Sequence, residues 1–201
     1  MSLIAIRQIH PDARLGLWRI DETLETMLCR RPFLAGEVAS YRNEGRKLER
    51  LSVYELLFLM TGDLSLRLSH NQSGKPLLPG WQVSISHTRG YVAVILSKEQ
   101  NIGIDIEYPS DRVSRIVSRF LRVDEHAETL EKQLLFWCAK ETVYKFFSEQ
   151  ALEFHEMKVH DVVLQPIGQL MVSNLRTSTD IVVHYSINKD YCLTYAVACF
   201  I

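Results

Sequence analysis

Strands, one long helix and then more strands follow one another twice along this 201-residue chain, and that repetition limits the folds open to it. The first long helix is expected from about Ser40 to Met60, stopped near Gly62, with Leu48, Leu51, Leu56 and Leu59 forming one apolar stripe. The second is expected over Glu131–Ser148. Strand-like alternation surrounds the first helix at Leu3–Ile9, Leu15–Ile20, Leu66–His70, Trp81–Ser86 and Tyr91–Leu96. It surrounds the second at Asn101–Tyr108, Glu156–Leu164, Gln169–Leu175, Asp180–Ile187 and Tyr191–Phe200. Asp21 is read as the cap of a short helix ending at Arg30, and further helices are expected over Asp111–Leu121 and Asp124–Thr129. No Pro- or Ser-rich linker separates the halves. The expectation is therefore an α+β chain of two similar halves, 1–98 and 99–201, packed together as a pseudo-dimer. The hairpins Ser84–Val94 and Ser186–Thr194 are faintly alike, with Tyr91 matching Tyr191.

The formal net charge is −1, so no overall basic field points to nucleic acid, and any anion-binding surface must be local. Cys29, Cys138, Cys192 and Cys199 form no CxxC pair, which argues against a metal cluster or a disulfide framework. They read as reduced thiols, mostly buried, of a cytoplasmic protein. The first ten residues lack the basic start and apolar core of a signal peptide. The run Tyr191–Ile201 is too short to span a bilayer.

The chemistry concentrates in three places. In Gly103-Ile104-Asp105-Ile106-Glu107, alternation puts Asp105 and Glu107 on one strand face and the isoleucines on the other. Two carboxylates on one face suit a hard divalent cation, although an acidic, solvated strand edge has the same pattern. On the helix Glu131–Ser148, a wheel at 100° per residue gathers Leu134, Leu135, Cys138, Thr142 and Phe146 into a wide apolar arc. Trp137, Lys140, Glu141, Tyr144 and Lys145 take the remaining sector. Glu141 and Lys145, one turn apart, can supply a third carboxylate and a phosphate contact, or merely an i,i+4 pair. The third place is Ser84-Ile85-Ser86-His87-Thr88, whose hydroxyls and imidazole can hydrogen-bond phosphate, with Lys75 on the Gly74-Lys75-Pro76 turn nearby in sequence.

Taken together in this order and spacing, Gly74-Lys75-Pro76, Ser84–Thr88, Gly103–Glu107 (GxDxE) and Trp137–Lys145 (WxxKExxxK) resemble the 4'-phosphopantetheinyl transferase superfamily. The likeness is to its surfactin-type branch, in which one chain holds two similar halves, so a monomer carries a complete site. The resemblance implies a holo-[acyl-carrier-protein] synthase activity, in which the 4'-phosphopantetheine group of coenzyme A moves to a carrier-protein serine and 3',5'-ADP leaves. It implies Mg²⁺, with Mn²⁺ as a substitute, held by Asp105, Glu107 and Glu141. Lys145, Lys140, Lys75, Ser86, His87 and Thr88 would hold the phosphates and the adenosine end, and Arg46 and Arg50 the 3'-phosphate. The base would be Glu141 or Glu125, with Lys145 assisting the leaving group. Two positions depart from the family pattern: Ser84 stands where asparagine is frequent, and Tyr54 where an arginine is expected.

The partner reading rests on charge. Over Asp111–Asp124, Arg112, Arg115, Arg119 and Arg122 fall within about 80° on a helical wheel, and Val113, Ile116, Val117 and Phe120 oppose them. Such a basic face suits an acidic apo acyl or peptidyl carrier protein, with no nucleic acid or membrane partner. The residues alone also fit a Mg²⁺-dependent phosphohydrolase or a non-catalytic coenzyme A binder.

Overall fold

A computed structural model describes residues 2–198 of the chain. The end of the Tyr191–Phe200 run and Cys199 lie outside the described residues. Two compact units divide the chain, Met1–Lys98 and Glu99–Ile201.

In the first unit, β1 (Leu3–His10), β2 (Ala13–Arg19), β5 (Gln82–Thr88) and β6 (Tyr91–Ser97) form an antiparallel sheet in the order β1-β2-β6-β5. Between β2 and β5 come α1 (Leu24–Arg30), a 3-10 turn at Pro32–Leu34, α2 (Ala35–Val38), α3 (Glu44–Thr61) and the two-residue strands β3 (Ser69–His70) and β4 (Pro76–Leu77). Helix α3 starts where Asn43 accepts the Arg46 N–H at 3.2 Å. It stops at Gly62, whose φ of 75° is the left-handed conformation that glycine adopts without a side-chain clash. Leu51, Leu56, Leu57 and Met60 bury its face against Val92, Val94 and Leu96 of β6. The helix begins four residues later than the sequence suggests, and Thr23 rather than Asp21 caps α1.

In the second unit, β7 (Ile102–Glu107), β8 (Met157–Val159), β9 (Ile167–Asn174), β10 (Thr179–Ile187) and β11 (Cys192–Val197) form an antiparallel sheet in the order β7-β11-β10-β9-β8. Helix α6 (Leu130–Phe146) lies on it, capped by Thr129, which accepts the Lys132 N–H at 3.2 Å. Leu135, Phe136, Ala139 and Val143 are wholly enclosed against Val172, Val183 and Cys192. Both units are thus antiparallel sheets carrying one long helix, the α+β class. The hairpins β5–β6 and β10–β11 are both present.

Two helical expectations need correction. Asp111–Leu121 is not one helix but two single turns, α4 (Arg112–Arg115) and α5 (Val117–Phe120), broken at Ile116 with φ −114° and ψ 9°. The wheel drawn through four arginines therefore does not describe this segment. Asp124–Thr129 is irregular, because the Glu125 side chain turns inward and is only 5% exposed. No helix among the described residues is long and apolar enough to cross a membrane.

Candidate active site

Gly103 sets the geometry of the acidic site. A Cβ built there would lie 2.2 Å from the Thr142 carbonyl oxygen and 3.0 Å from the Phe146 amide nitrogen, so only glycine lets β7 approach α6 this closely. That approach brings Asp105 and Glu107 toward Glu141 and Lys145. Lys145 Nζ donates to Asp105 Oδ1 at 2.7 Å and to the Ile104 carbonyl at 3.0 Å. A clamp that sequence reading missed lies beside them: the Thr142 and Thr194 hydroxyls meet at 2.7 Å, and Thr194 Oγ1 donates to the Cys138 carbonyl at 2.9 Å. Thr194 pairs with Asp105 across β11 and β7, so the clamp pins α6 to the sheet beside the first acidic residue. Nothing in the sequence marks these threonines, since both sit at apolar-facing positions.

Glu141 is half-buried, and its carboxyl is pushed up to about 7. Burial is the largest cause. The negative charge of Asp105 adds to it, Lys145 opposes, and Glu107 adds a little more. Three carboxylates thus crowd one ammonium. Among the described residues no three His, Cys, Asp or Glu side chains form a ready-made metal cage. The donor chemistry nevertheless fits Mg²⁺, which is commonly held by one or two carboxylates together with substrate phosphates and waters. Its charge would relieve the crowding that Glu141 reports.

Lys140 and Glu125 come together, but inside the core. Both side chains are wholly enclosed, with Lys140 Nζ 2.8 Å from Glu125 Oε2. Lys140 also donates to the Phe120 carbonyl at 2.6 Å and the Phe154 carbonyl at 3.2 Å. Glu125 accepts the Val159 N–H at 2.6 Å and the Arg122 N–H at 2.8 Å. Burial pulls the Lys140 ammonium below its usual range, and Glu125 opposes that shift. Neither group presents a polar atom to a substrate in this arrangement, so a phosphate contact by Lys140 and a base role for Glu125 lack a path. The wheel placed Lys140 on the polar sector because it cannot see an internal counter-ion.

A cavity of about 460 Å³ opens onto Glu141, lined also by Arg119, Tyr144, Leu152, Phe154 and His155. A second, of about 440 Å³, is lined by Val117, Ser118, Leu121, Arg122, Val123 and His155. His155 borders both. Arg112, Arg115 and Arg119 are exposed, whereas Arg122 is pinned to Asp124 and to the His155 carbonyl.

In the first unit, Arg46 Nη1 lies 3.0 Å from His87 Nε2, and Glu49 reaches both residues. With Tyr41, Arg50 and His70 they line a cavity of about 250 Å³, bordered by Gly74 and Pro76 on either side of Lys75. Arg50 is held by the Leu68 carbonyl at 3.1 Å, the Tyr54 hydroxyl at 3.3 Å and Glu37 at 3.4 Å. Tyr54, the departure on α3, is itself enclosed: its hydroxyl donates to Glu37 at 2.5 Å and accepts the Leu68 N–H at 3.2 Å. Ser86 and Thr88 do not join His87. They alternate onto the opposite, buried face of β5, as does Ser84.

Residues 101–196 match the model of the 4'-phosphopantetheinyl transferase superfamily. The matched segment runs from β7 through β11 and contains every acidic residue of the site as well as Lys145. A domain of this superfamily indicates a 4'-phosphopantetheinyl transferase. No curated protein matches the chain.

Proposed function

We propose that this chain transfers 4'-phosphopantetheine from coenzyme A to a serine of an apo carrier protein, and that it belongs to the two-half, single-chain branch of the superfamily. The observation that carries the reading is the convergence of Asp105, Glu107, Glu141 and Lys145 where β7 meets α6, inside the segment that matches the family. Asp105, Glu107 and Glu141 would hold Mg²⁺, which supplies charge neutralisation on the diphosphate when bound. Lys145, held by Asp105 and the Ile104 carbonyl, keeps one N–H donor for a phosphate oxygen. The serine Oγ attacks the phosphorus that carries the pantetheine arm, and the bridging P–O bond breaks. Its electron pair leaves with 3',5'-ADP. Glu141, whose cavity is open, is the carboxylate placed to take the serine proton, directly or through one water. Arg46, Arg50 and His87 border a cavity that suits the 3'-phosphate end of coenzyme A, with Tyr54 and Glu37 bracing Arg50, and Lys75 is assigned to the same phosphates from the turn whose Gly74 and Pro76 line it.

The carrier is assigned to the exposed Arg112, Arg115 and Arg119. Of these Arg119 is placed best, because it lines the Glu141 cavity. Arg115→Glu combined with Arg119→Glu is expected to raise KM for the carrier about ten-fold or more at low salt, with coenzyme A affinity unchanged. Equal carrier kinetics at low salt would remove the arginines from the docking surface. The reaction itself is tested by chromatography of 3',5'-ADP. Release that requires the carrier and matches its modification supports transfer, and release without carrier points to a phosphohydrolase.

A further inference from the structure

Trp137 and Lys140 leave α6 one turn apart, toward the same two neighbours. The Trp137 ring meets those of Phe120 and Phe154, with centroids 5.3 and 5.1 Å away. Lys140 Nζ holds the carbonyls of the same two residues, at 2.6 and 3.2 Å. Glu125 closes the arrangement by pairing with Lys140 and accepting the Arg122 and Val159 N–H groups. Phe120 and Phe154 sit within the two segments that wall the cavity at Glu141 and its neighbour, which share His155. Arg119, Leu152, Phe154 and His155 line the cavity at Glu141, and Val117, Leu121 and Val123 line the neighbouring one.

We propose that Lys140, neutralised by Glu125, is a positioning residue that fixes both walls of the groove through which the acceptor reaches Glu141. This rests on the transferase reading. A lysine suits the task because one ammonium offers three donors, enough for two wall carbonyls and one carboxylate. A buried ion pair is a poor source of net stability, since desolvation offsets most of the attraction. Here the pair holds two short segments, the single turn α5 that ends at Phe120 and the single 3-10 turn Phe154–Glu156, at a fixed distance from α6. Lys140 thereby sets the spacing of the groove while the adjacent Glu141 faces into it.

Lys140→Met alone strands a buried carboxylate and risks misfolding, so the informative variant is Lys140→Met with Glu125→Gln. It removes both charges and keeps an oxygen for the Val159 N–H, yet loses the donors to Phe120 and Phe154. In the full-length protein, carrier kcat/KM is expected to fall about ten-fold to 100-fold, mainly through KM, because small misplacements of a docked substrate cost that much. Coenzyme A affinity by calorimetry should stay within about two-fold, and hydrogen-exchange protection should fall within 117–123 and 152–156. Trp137→Leu leaves the ion pair intact and should give the same kinetic split and the same exchange pattern. A folded double variant with normal carrier kinetics would overturn the proposal. So would a parallel loss of coenzyme A affinity, which would return Lys140 to the phosphates, or unchanged exchange in the walls. If the wild-type protein modifies no carrier at all, the transferase reading fails, and exchange in the walls still decides whether Lys140 holds them.

Discussion

Glu141→Gln is expected to abolish carrier modification, with a loss of at least about 100-fold, while making the protein more stable above neutral pH. The loss follows from removing the one carboxylate that both faces the open cavity and sits against Asp105 and Glu107. The gain follows from the same crowding. Folding raises the Glu141 carboxyl from 4.5 to about 7. Below 4.5 the group is protonated in both folded and unfolded chains and costs nothing. As pH rises toward 7 the unfolded chain ionises first, so stability falls across that window and stays lower above it. Allowing for partial exposure, the penalty removed by glutamine is about 1–2 kcal/mol at pH 8, or a few degrees in Tm, and it should vanish at pH 4. Thermal melts in a chelator at both pH values measure this directly. A variant that melts lower than wild type at pH 8 would show that Glu141 is not a strained acid.

Gly103→Ala should cost stability as well as activity. The added methyl meets the backbone of α6, at 2.2 Å from the Thr142 oxygen, and backbone cannot swing aside as a side-chain tip can. Overpacking of this kind costs about 3 kcal/mol, and relief requires β7 and α6 to part. Parting them separates Asp105 and Glu107 from Glu141 and Lys145, so the residual folded protein should show carrier modification at least about ten-fold reduced. Gly36→Ala is the control. Nothing lies within 4 Å of its Cβ position, and alanine favours the helix there, so its urea midpoint should hold or rise slightly. A Gly103→Ala midpoint equal to that of wild type would mean that the strand and helix adjust without cost.

What the sequence made legible was the part governed by periodicity. Alternation put Asp105 and Glu107 on one face of β7, and helical spacing put Glu141 and Lys145 one turn apart on α6. Both expectations concern neighbours along one element, where backbone geometry dictates direction. Contacts between distant segments left no such trace. Lys140 fell on the polar sector because a wheel assigns charge to solvent, and Glu125 entered only as a candidate base, yet each has the other as counter-ion across 15 residues of chain. Ser86 and Thr88 were grouped with His87 by adjacency, although neighbours on a strand face opposite ways. The break at Ile116 divided a helix whose composition gave no warning, having neither glycine nor proline. The Thr142–Thr194 clamp was invisible because threonine at an apolar position carries no sign of its partner.

The intact mass of an apo carrier protein incubated with this chain, coenzyme A and Mg²⁺ decides whether the group is transferred. Transfer predicts one phosphopantetheine group added to the carrier serine, lost in EDTA and lost with Glu141→Gln. An unmodified mass across several unrelated apo carriers, from protein that binds coenzyme A normally, would contradict it.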